Sequence, residues 1–417
     1  MNPSYLGIVK PLLAPRFGPL VAHVANILGQ RGSVNLASLA QQCKLPLRVL
    51  KECLVVLIHH RLVNWRNPGD GNDAAATYSL NLANVLHSGL IPWLLDFVQK
   101  ETGDNMKSFA EGVISGTFQD PPAVFLALGV LEEKYLLSSF PDATESRKKA
   151  RTEGPKLYTL SLPAVLQLYR REVLAQTCSR LMKDARFVPL VRSLCDSKVL
   201  SLMDMGKCVP GLSGMEAKNL LDSLYWKVDW IERSSIPHLT FTCNLPKAKR
   251  FLAQGLTSCF VSYKWSGPSL RLLNILRAKG FLQDKTISAA ALMPIKEVRE
   301  RMYLMFTHGI VHMQEVPRTV DHAPNKTSYL WALDEAHRSW PAMALKAAAS
   351  LTRQLEFIHG RKEASLLLLD KLSREDITEE MLSAAEKTSL DQYRFDQAVN
   401  YAQFLRLLTD LLILRHF

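Results

Sequence analysis

Nowhere in the 417 residues do apolar side chains run unbroken for the ~18 positions that a membrane helix needs, so no bilayer span is expected. Lys10, Pro11, Pro15 and Arg16 interrupt the first apolar stretch, which argues against a signal peptide and predicts a short N-terminal arm. The seven cysteines (Cys43, Cys53, Cys178, Cys195, Cys208, Cys243 and Cys259) are odd in number and scattered, with no CxxC pair. Neither a zinc site nor a disulfide framework is indicated, and buried free thiols in a reducing compartment are expected. Catalytic patterns are missing too. Gly69, Asp70 and Gly71 begin like a phosphate loop, but no Lys-Ser/Thr follows, so a turn is the simpler reading. His308, His312 and His322 straddle a helix-to-strand junction and do not share a helical face. His59 and His60 suit a helix end, where they complement exposed carbonyls. Cys43 and Cys53 have no recognisable acid or base beside them. The pairs Glu132–Glu133 and Glu379–Glu380 fall at polar helix positions. These gaps predict a binding protein with no catalytic residue, no metal and no cofactor.

What the chain does have is basic charge and repetition. The net charge is +12, spread over all parts of the sequence, which favours a polyanionic partner. Residues 310–316 and 328–333 read as two antiparallel strands, with Pro317 and Pro324 placing the loop between them, since proline cannot donate to a ladder. A helix over 295–307 runs into this ribbon, with Val298, Met302, Met305 and Phe306 about a turn apart. Helix feeding a two-stranded ribbon is the second half of a winged helix. The ribbon ends repeat: Tyr78, Leu80 and Asn81; Tyr158, Leu160 and Ser161; Phe241, Cys243 and Asn244; Trp331, Leu333 and Asp334. Each is an aromatic, an apolar residue and then a side chain suited to cap the next helix. Upstream, each copy has a helix entering a strand near 62, 135, 228 and 310. The first copy reads most fully, with helices over 17–31, 36–43 and 47–60.

The predicted fold is mainly α: four tandem winged helices followed by an antiparallel coiled-coil hairpin. The expected divisions are 1–81, 82–186 with a long basic wing at 141–156, 187–264, 265–334 and the hairpin at 335–417. The third copy is least regular, because 199–213 holds two glycines and a proline where a short helix is expected. In the hairpin, leucines at spacings of three, four and seven make one seam. The run 366–369 and the end 411–414 exceed what that seam can cover, so Leu366, Leu369, Phe404, Leu408 and Leu411 are candidate partner-binding residues. Removing 336–417 is expected to abolish partner association while leaving the first two units folded.

For nucleic acid, the candidate contacts are Lys44, Arg48 and Lys51 around the third helix of the first copy. Arg147, Lys148 and Lys149 in the second wing and Lys296, Arg299 and Arg301 in the fourth copy complete the set. Phosphates are the expected targets; no Asn or Gln sits where a base edge would be read. For the middle two copies, a protein-docking role is the favoured reading.

The stretch MPIKEVRERMYLMFTHGIVHMQEVPRTVDHAPNKTSYLWALD closely resembles the fourth winged helix of the tandem winged-helix subunit of RNA polymerase III. The elements Gln314 to Thr319, Asp321 to Pro324 and Tyr329 to Trp331 carry that resemblance. RFGPLVAHVANILGQRGSVNLASLAQQCKLPLRVLKECLVVLIHHRLVNW is similar to the first. The second and third copies match the family in layout more than in residues, and the link between them is shorter than in many members. The resemblance implies a nuclear, non-catalytic polymerase subunit belonging to the initiation heterotrimer, with transcription factor IIE as a related precedent. Its implied partners are two smaller heterotrimer subunits, the clamp of the largest polymerase subunit, initiation factor IIIB and promoter DNA. Two competing expectations are a freestanding DNA-binding regulator and a winged-helix scaffold without nucleic-acid contact.

Overall fold

The computed structural model describes residues 3–66, 76–102, 137–141, 156–197, 199–201, 204, 213–234, 239–317, 327–374 and 379–415. The chain divides into two compact units, residues 1–169 with 348–408 and residues 170–347 with 409–417. No helix among the described residues is long and apolar enough to cross a membrane.

The first unit begins with a helix where an arm was expected: α1 (Pro3–Phe17) contains both Pro11 and Pro15. Proline at 15 has no N–H for the Pro11 carbonyl, and that carbonyl accepts instead from His359 Nε2 at 2.8 Å. Burial of Ile8, Val9 and Leu13 holds the helix in place. Gly18, at φ +86°, turns the chain into α2 (Pro19–Arg31), which starts with proline in its first turn. The strand β1 (Val34–Asn35) ends on Asn35, whose side chain accepts from Ser38 N at 2.9 Å and caps α3 (Leu36–Cys43). Helix α4 (Leu47–His59) buries Leu50, Cys53, Leu54 and Leu57 and leads into β2 (Val63–Arg66). It pairs with β3 (Thr77–Leu80) in the order β1-β3-β2, all antiparallel, with Val63 opposite Leu80 and Val34 opposite Tyr78. These three helices and three strands are the framework of a winged helix. The glycine turn at 69–71 lies outside the described residues.

Asn81 then accepts from Asn84 N and caps α5 (Leu82–Ser88), followed by α6 (Ile91–Thr102). Of the second copy, the described residues include its ribbon, β4 (Leu137–Pro141) paired with β5 (Lys156–Leu160), Leu137 opposite Leu160. The helix expected upstream of it lies outside them. Helix α7 (Leu162–Met182) follows.

The second unit holds two more copies. Helix α8 (Phe187–Ser197) and β6 (Val199–Ser201) precede α9 (Gly214–Tyr225), which opens on a reciprocal cap between Ser213 and Glu216. Strands β7 (Ile231–Ser234) and β8 (Thr240–Cys243) complete a sheet of order β6-β8-β7, the topology of the first copy. Asn244 accepts from Lys247 N and starts α10 (Leu245–Lys279), which breaks at Ser266 (φ +71°) ahead of Pro268. Its later portion serves the fourth copy, with α11 (Asp284–Ala291), α12 (Ile295–Thr307), β9 (His312–Pro317) and β10 (Thr327–Ala332). Leu282 bridges Trp331 in the place that β1 takes in the first copy. Asp334 accepts from His337 N, as the repeat predicted, but the chain then makes a π-turn at Glu335–Ser339 before regular helix. Glu335 is buried there against Arg277 at 2.6 Å and Gln254 at 2.8 Å.

Three C-terminal helices close the chain: α13 (Trp340–Ala364), α14 (Leu366–Leu372) and α15 (Ala384–Arg415). Within the first unit, α13–α14 and α15 run antiparallel, joined by Gln354–Asn400, Arg361–Asp396 and Lys371–Glu386. Leu355 and Leu390 are buried in a pairing that is otherwise largely polar, and Lys362 and Ser365 interrupt its apolar stripe as the sequence predicts. The helices also complete the first unit's core. A Cβ on Gly89 would stand 2.9 Å from the end of Leu408 and 3.4 Å from Phe404, so α15 packs directly against this turn and a larger residue would push Leu408 aside. Removing 336–417 would therefore open the first unit, contrary to the expectation that it folds without them.

Replacing Asn81 or Asn244 by alanine removes a cap and should cost about 1 kcal/mol in urea unfolding. Leu57→Ala should cost about 2–5 kcal/mol, because it empties a fully buried site.

Candidate nucleic-acid interface

The third helix of a winged helix presents one face to its core and the other to solvent. In α4 the buried stripe is Leu50, Leu54 and Leu57; in α12 it is Val298, Met302 and Met305. The entries match as well. Lys44 and Leu292 both adopt left-handed backbone at φ 52°, two residues ahead of Pro46 and Pro294, whose conformations agree closely. The exits match at His60 and His308, followed by Arg61 and Gly309, both at positive φ. With that register fixed, Arg48 corresponds to Lys296, Lys51 to Arg299, Glu52 to Glu300 and Val55 to Tyr303. All eight are exposed. Two basic residues, three apart, thus occupy the same outward positions in the first and fourth copies. Sequence reading picked out the residues singly and missed their equivalence, although the shared pattern around Pro46 and Pro294 carried it.

Their surroundings differ in detail. Arg48 is 91% exposed and meets Glu52 at 3.3 Å, a surface pair worth at most about 1 kcal/mol. A phosphate can displace such a partner. Lys44 and Lys51 are exposed. Arg299 is tied more firmly, with Nε donating to Asp284 Oδ2 at 2.7 Å while Asp284 Oδ1 accepts from the Trp331 indole. Asp284 therefore joins this helix to the base of its ribbon. Arg301 is not an outward residue. It donates to Glu297 at 2.9 Å, to the Trp265 carbonyl at 3.1 Å and to Ser269 Oγ at 3.2 Å, bracing the break in α10. Half-buried and occupied, it serves as a strut, which corrects its place among the candidate contacts. Arg147, Lys148 and Lys149 lie outside the described residues.

In the third copy, α9 buries Ala217, Leu221 and Leu224 at the same spacing. The outward positions there carry Met215, Lys218, Asn219 and Asp222, with Asp222 held by Arg233 at 3.0 Å. One basic residue has become apolar, and an acid stands where Val55 and Tyr303 stand elsewhere.

The candidate partner-binding residues divide. Leu366 is exposed and Leu369 half-buried, whereas Phe404, Leu408 and Leu411 are buried within the chain. These three face inward because the C-terminal helix supplies core, so they offer no docking surface. An open groove of about 620 Å3 lies beside Arg361, Ser365, Thr388 and Gln392 on the helical pair. Among the described residues, no group of three or more His, Cys, Asp or Glu is placed to hold a metal ion.

His60, at the end of α4, packs against Phe17 with ring centres 4.8 Å apart. Burial, then the charges of Arg16 and His59, lower its pKa to about 4. The folded state thus resists protonation, which an unfolded imidazole accepts below about 6.5.

With the geometry in place, the fold and its repeated outward helices define a tandem winged-helix protein. The family model described as the RNA polymerase III subunit RPC82 helix-turn-helix domain matches residues 8–67. That described as the POLR3C C-terminal winged-helix domain matches residues 257–333. The DNA-directed RNA polymerase III subunit RPC3 of Yarrowia lipolytica is 29% identical over 167 residues, covering 39% of this chain and 28% of the relative. The protein of the same name from Emericella nidulans is 32% identical over 162 residues, 38% of this chain and 26% of the relative. That of Danio rerio is 34% identical over 95 residues, 23% of this chain and 18% of the relative. Each match thus spans less than a third of the relative's length. In its first and fourth winged helices the chain is thus similar to the matching parts of RNA polymerase III subunit RPC3.

His60 adds stability that is fully present above pH 6.5 and is lost as pH falls toward 4. Unfolding at pH 5 should show a loss of about 1–2 kcal/mol relative to pH 7 from this group. His60→Phe, which keeps the ring against Phe17, should remove that part of the pH dependence.

Proposed function

We propose that the chain works as a non-catalytic subunit of nuclear RNA polymerase III, in the initiation heterotrimer with two smaller subunits. In this reading it sits against the clamp, meets initiation factor IIIB and helps to open promoter DNA. The observation that carries the DNA part is the repeated basic pair, Arg48 with Lys51 and Lys296 with Arg299, exposed on equivalent helices. The polymerase part rests on the named relatives and on the paired family matches. Four outward charges without a neighbouring Asn or Gln suit phosphates and give no sequence preference. That favours a subunit positioned by its assembly over a freestanding regulator.

For the third copy the supported reading is protein docking. Met215 and Asp222 on its outward face replace the charge pattern of the first and fourth. We also propose the divisions at 81, 186, 264 and 334 as module limits, since capping side chains stand at 81 and 334.

Reversing Arg48, Lys51, Lys296 and Arg299 to glutamate should weaken binding of the purified full chain to any duplex alike. The slope of log affinity against log salt should shrink by about 2–4. Unchanged affinity and slope would reject the DNA contact. The same variant, tagged in cells, should still recover polymerase III subunits. Wild-type protein recovered without them would reject the polymerase assignment whatever the DNA result.

A further inference from the structure

The third copy contains a pair of thiols that neither the fold nor the proposed function uses. Cys195 lies near the end of α8, and Cys243 is the last residue of β8, opposite Ile231 and just before the capping Asn244. Their sulfurs are 4.0 Å apart, in van der Waals contact, although the residues are 48 apart in the chain. Both are half-buried, open to a small oxidant and enclosed by their own module.

The geometry points to Cys195 and Cys243 as a modification site: a dithiol that hydroperoxides close to an intramolecular disulfide. A shift of about 2 Å brings the sulfurs from contact to bonding distance. Their roles differ. Either sulfhydryl can donate across the contact; where Cys195 donates, the contact and burial raise its pKa, and accepting the bond lowers that of Cys243. In that arrangement Cys243 is the attacking sulfur. Its thiolate takes the terminal oxygen of a hydroperoxide, the O–O bond breaks, and one proton is consumed; Cys243 becomes a sulfenic acid and water (or an alcohol) leaves. The Cys195 sulfur then attacks the sulfenic sulfur and loses its proton, and hydroxide departs to form a second water. The two thiols are oxidised by two electrons, and the peroxide O–O bond is reduced.

Other cysteines mark the selectivity. Cys178 is wholly buried nearby, its pKa pushed up to about 12 by burial, and is sheltered from oxidant. Cys259 is exposed and reports how far oxidation has gone. The resulting bond would tie the first helix of the copy to its last strand and narrow the unfolded ensemble across a long loop. Under reducing conditions both residues remain thiols.

The test treats the full chain with hydrogen peroxide, blocks remaining thiols with N-ethylmaleimide and maps peptides by mass spectrometry. The expected product joins the Cys195 and Cys243 peptides, less two hydrogens, with a raised Tm that dithiothreitol reverses. In Cys195→Ser the link should vanish, and Cys243 should take up dimedone as sulfenic acid. Wild-type mapping stands alone if that variant does not fold. The proposal is overturned if both residues stay alkylated once Cys259 is oxidised, or if either pairs instead with another cysteine, Cys208 included.

Discussion

One stripe of three side chains on the third helix of the first, third and fourth copies governs what those copies can present to others. Leu50, Leu54 and Leu57 are buried, as are Ala217, Leu221 and Leu224, and Val298, Met302 and Met305. Spacings of four and three hold such a stripe within a narrow arc of the helix, so residues two before and one after its first member must point away. Arg48 and Lys51, or Lys296 and Arg299, are outward for that reason. The apolar core decides the orientation of the charges, and the charges can vary without disturbing it. The third copy exploits this freedom.

A two- or three-stranded ribbon is marginal by itself. Here Asn81, Asn244 and Asp334 each sit where the last strand of a copy ends, so one side chain closes a ribbon and opens the next helix. Asn81 N also donates to Leu62 O, and Asn244 N to Trp230 O, both at 2.8 Å. The cap residue is thus bonded on both sides, to the preceding strand through its backbone and to the following helix through its side chain. Glu335 adds a second kind of anchor in the fourth copy, a buried carboxylate paired with Arg277. Such a pair is costly to bury and destabilising to break, which makes it a strong determinant of geometry and a weak source of stability.

Local signals account for what could be read from the sequence. The capping positions, ribbon strands and third helices each depend on residues within a few positions, and mainly-α winged helices follow from their order. What could not be read depends on distant partners. Pro11 and Pro15 predict a break, and the helix tolerates them through burial of Ile8, Val9 and Leu13 and through the distant His359, which satisfies the Pro11 carbonyl. Phe404, Leu408 and Leu411 form an apolar stripe that looks equally suited to a partner or to the chain's own core; Gly89 settles it for the first two. Arg301 differs from Arg299 by two positions, yet that rotation carries it from solvent to the Trp265 carbonyl. Composition cannot reveal such a difference.

The equivalence of the first and fourth copies extends to how strongly each cation is held. Arg48 faces water and shares a one-turn pair with Glu52, whereas Arg299 shares Asp284 with the Trp331 indole. Screening by salt weakens the first pair far more than the second. A polyanion approaching the fourth copy would compete with a carboxylate that also holds the ribbon to its helix. Arg299 would thus lend only part of its charge, leaving Lys296 as the readier contact, while the first copy offers both of its basic residues. Equal positions on equal scaffolds therefore need not contribute equally.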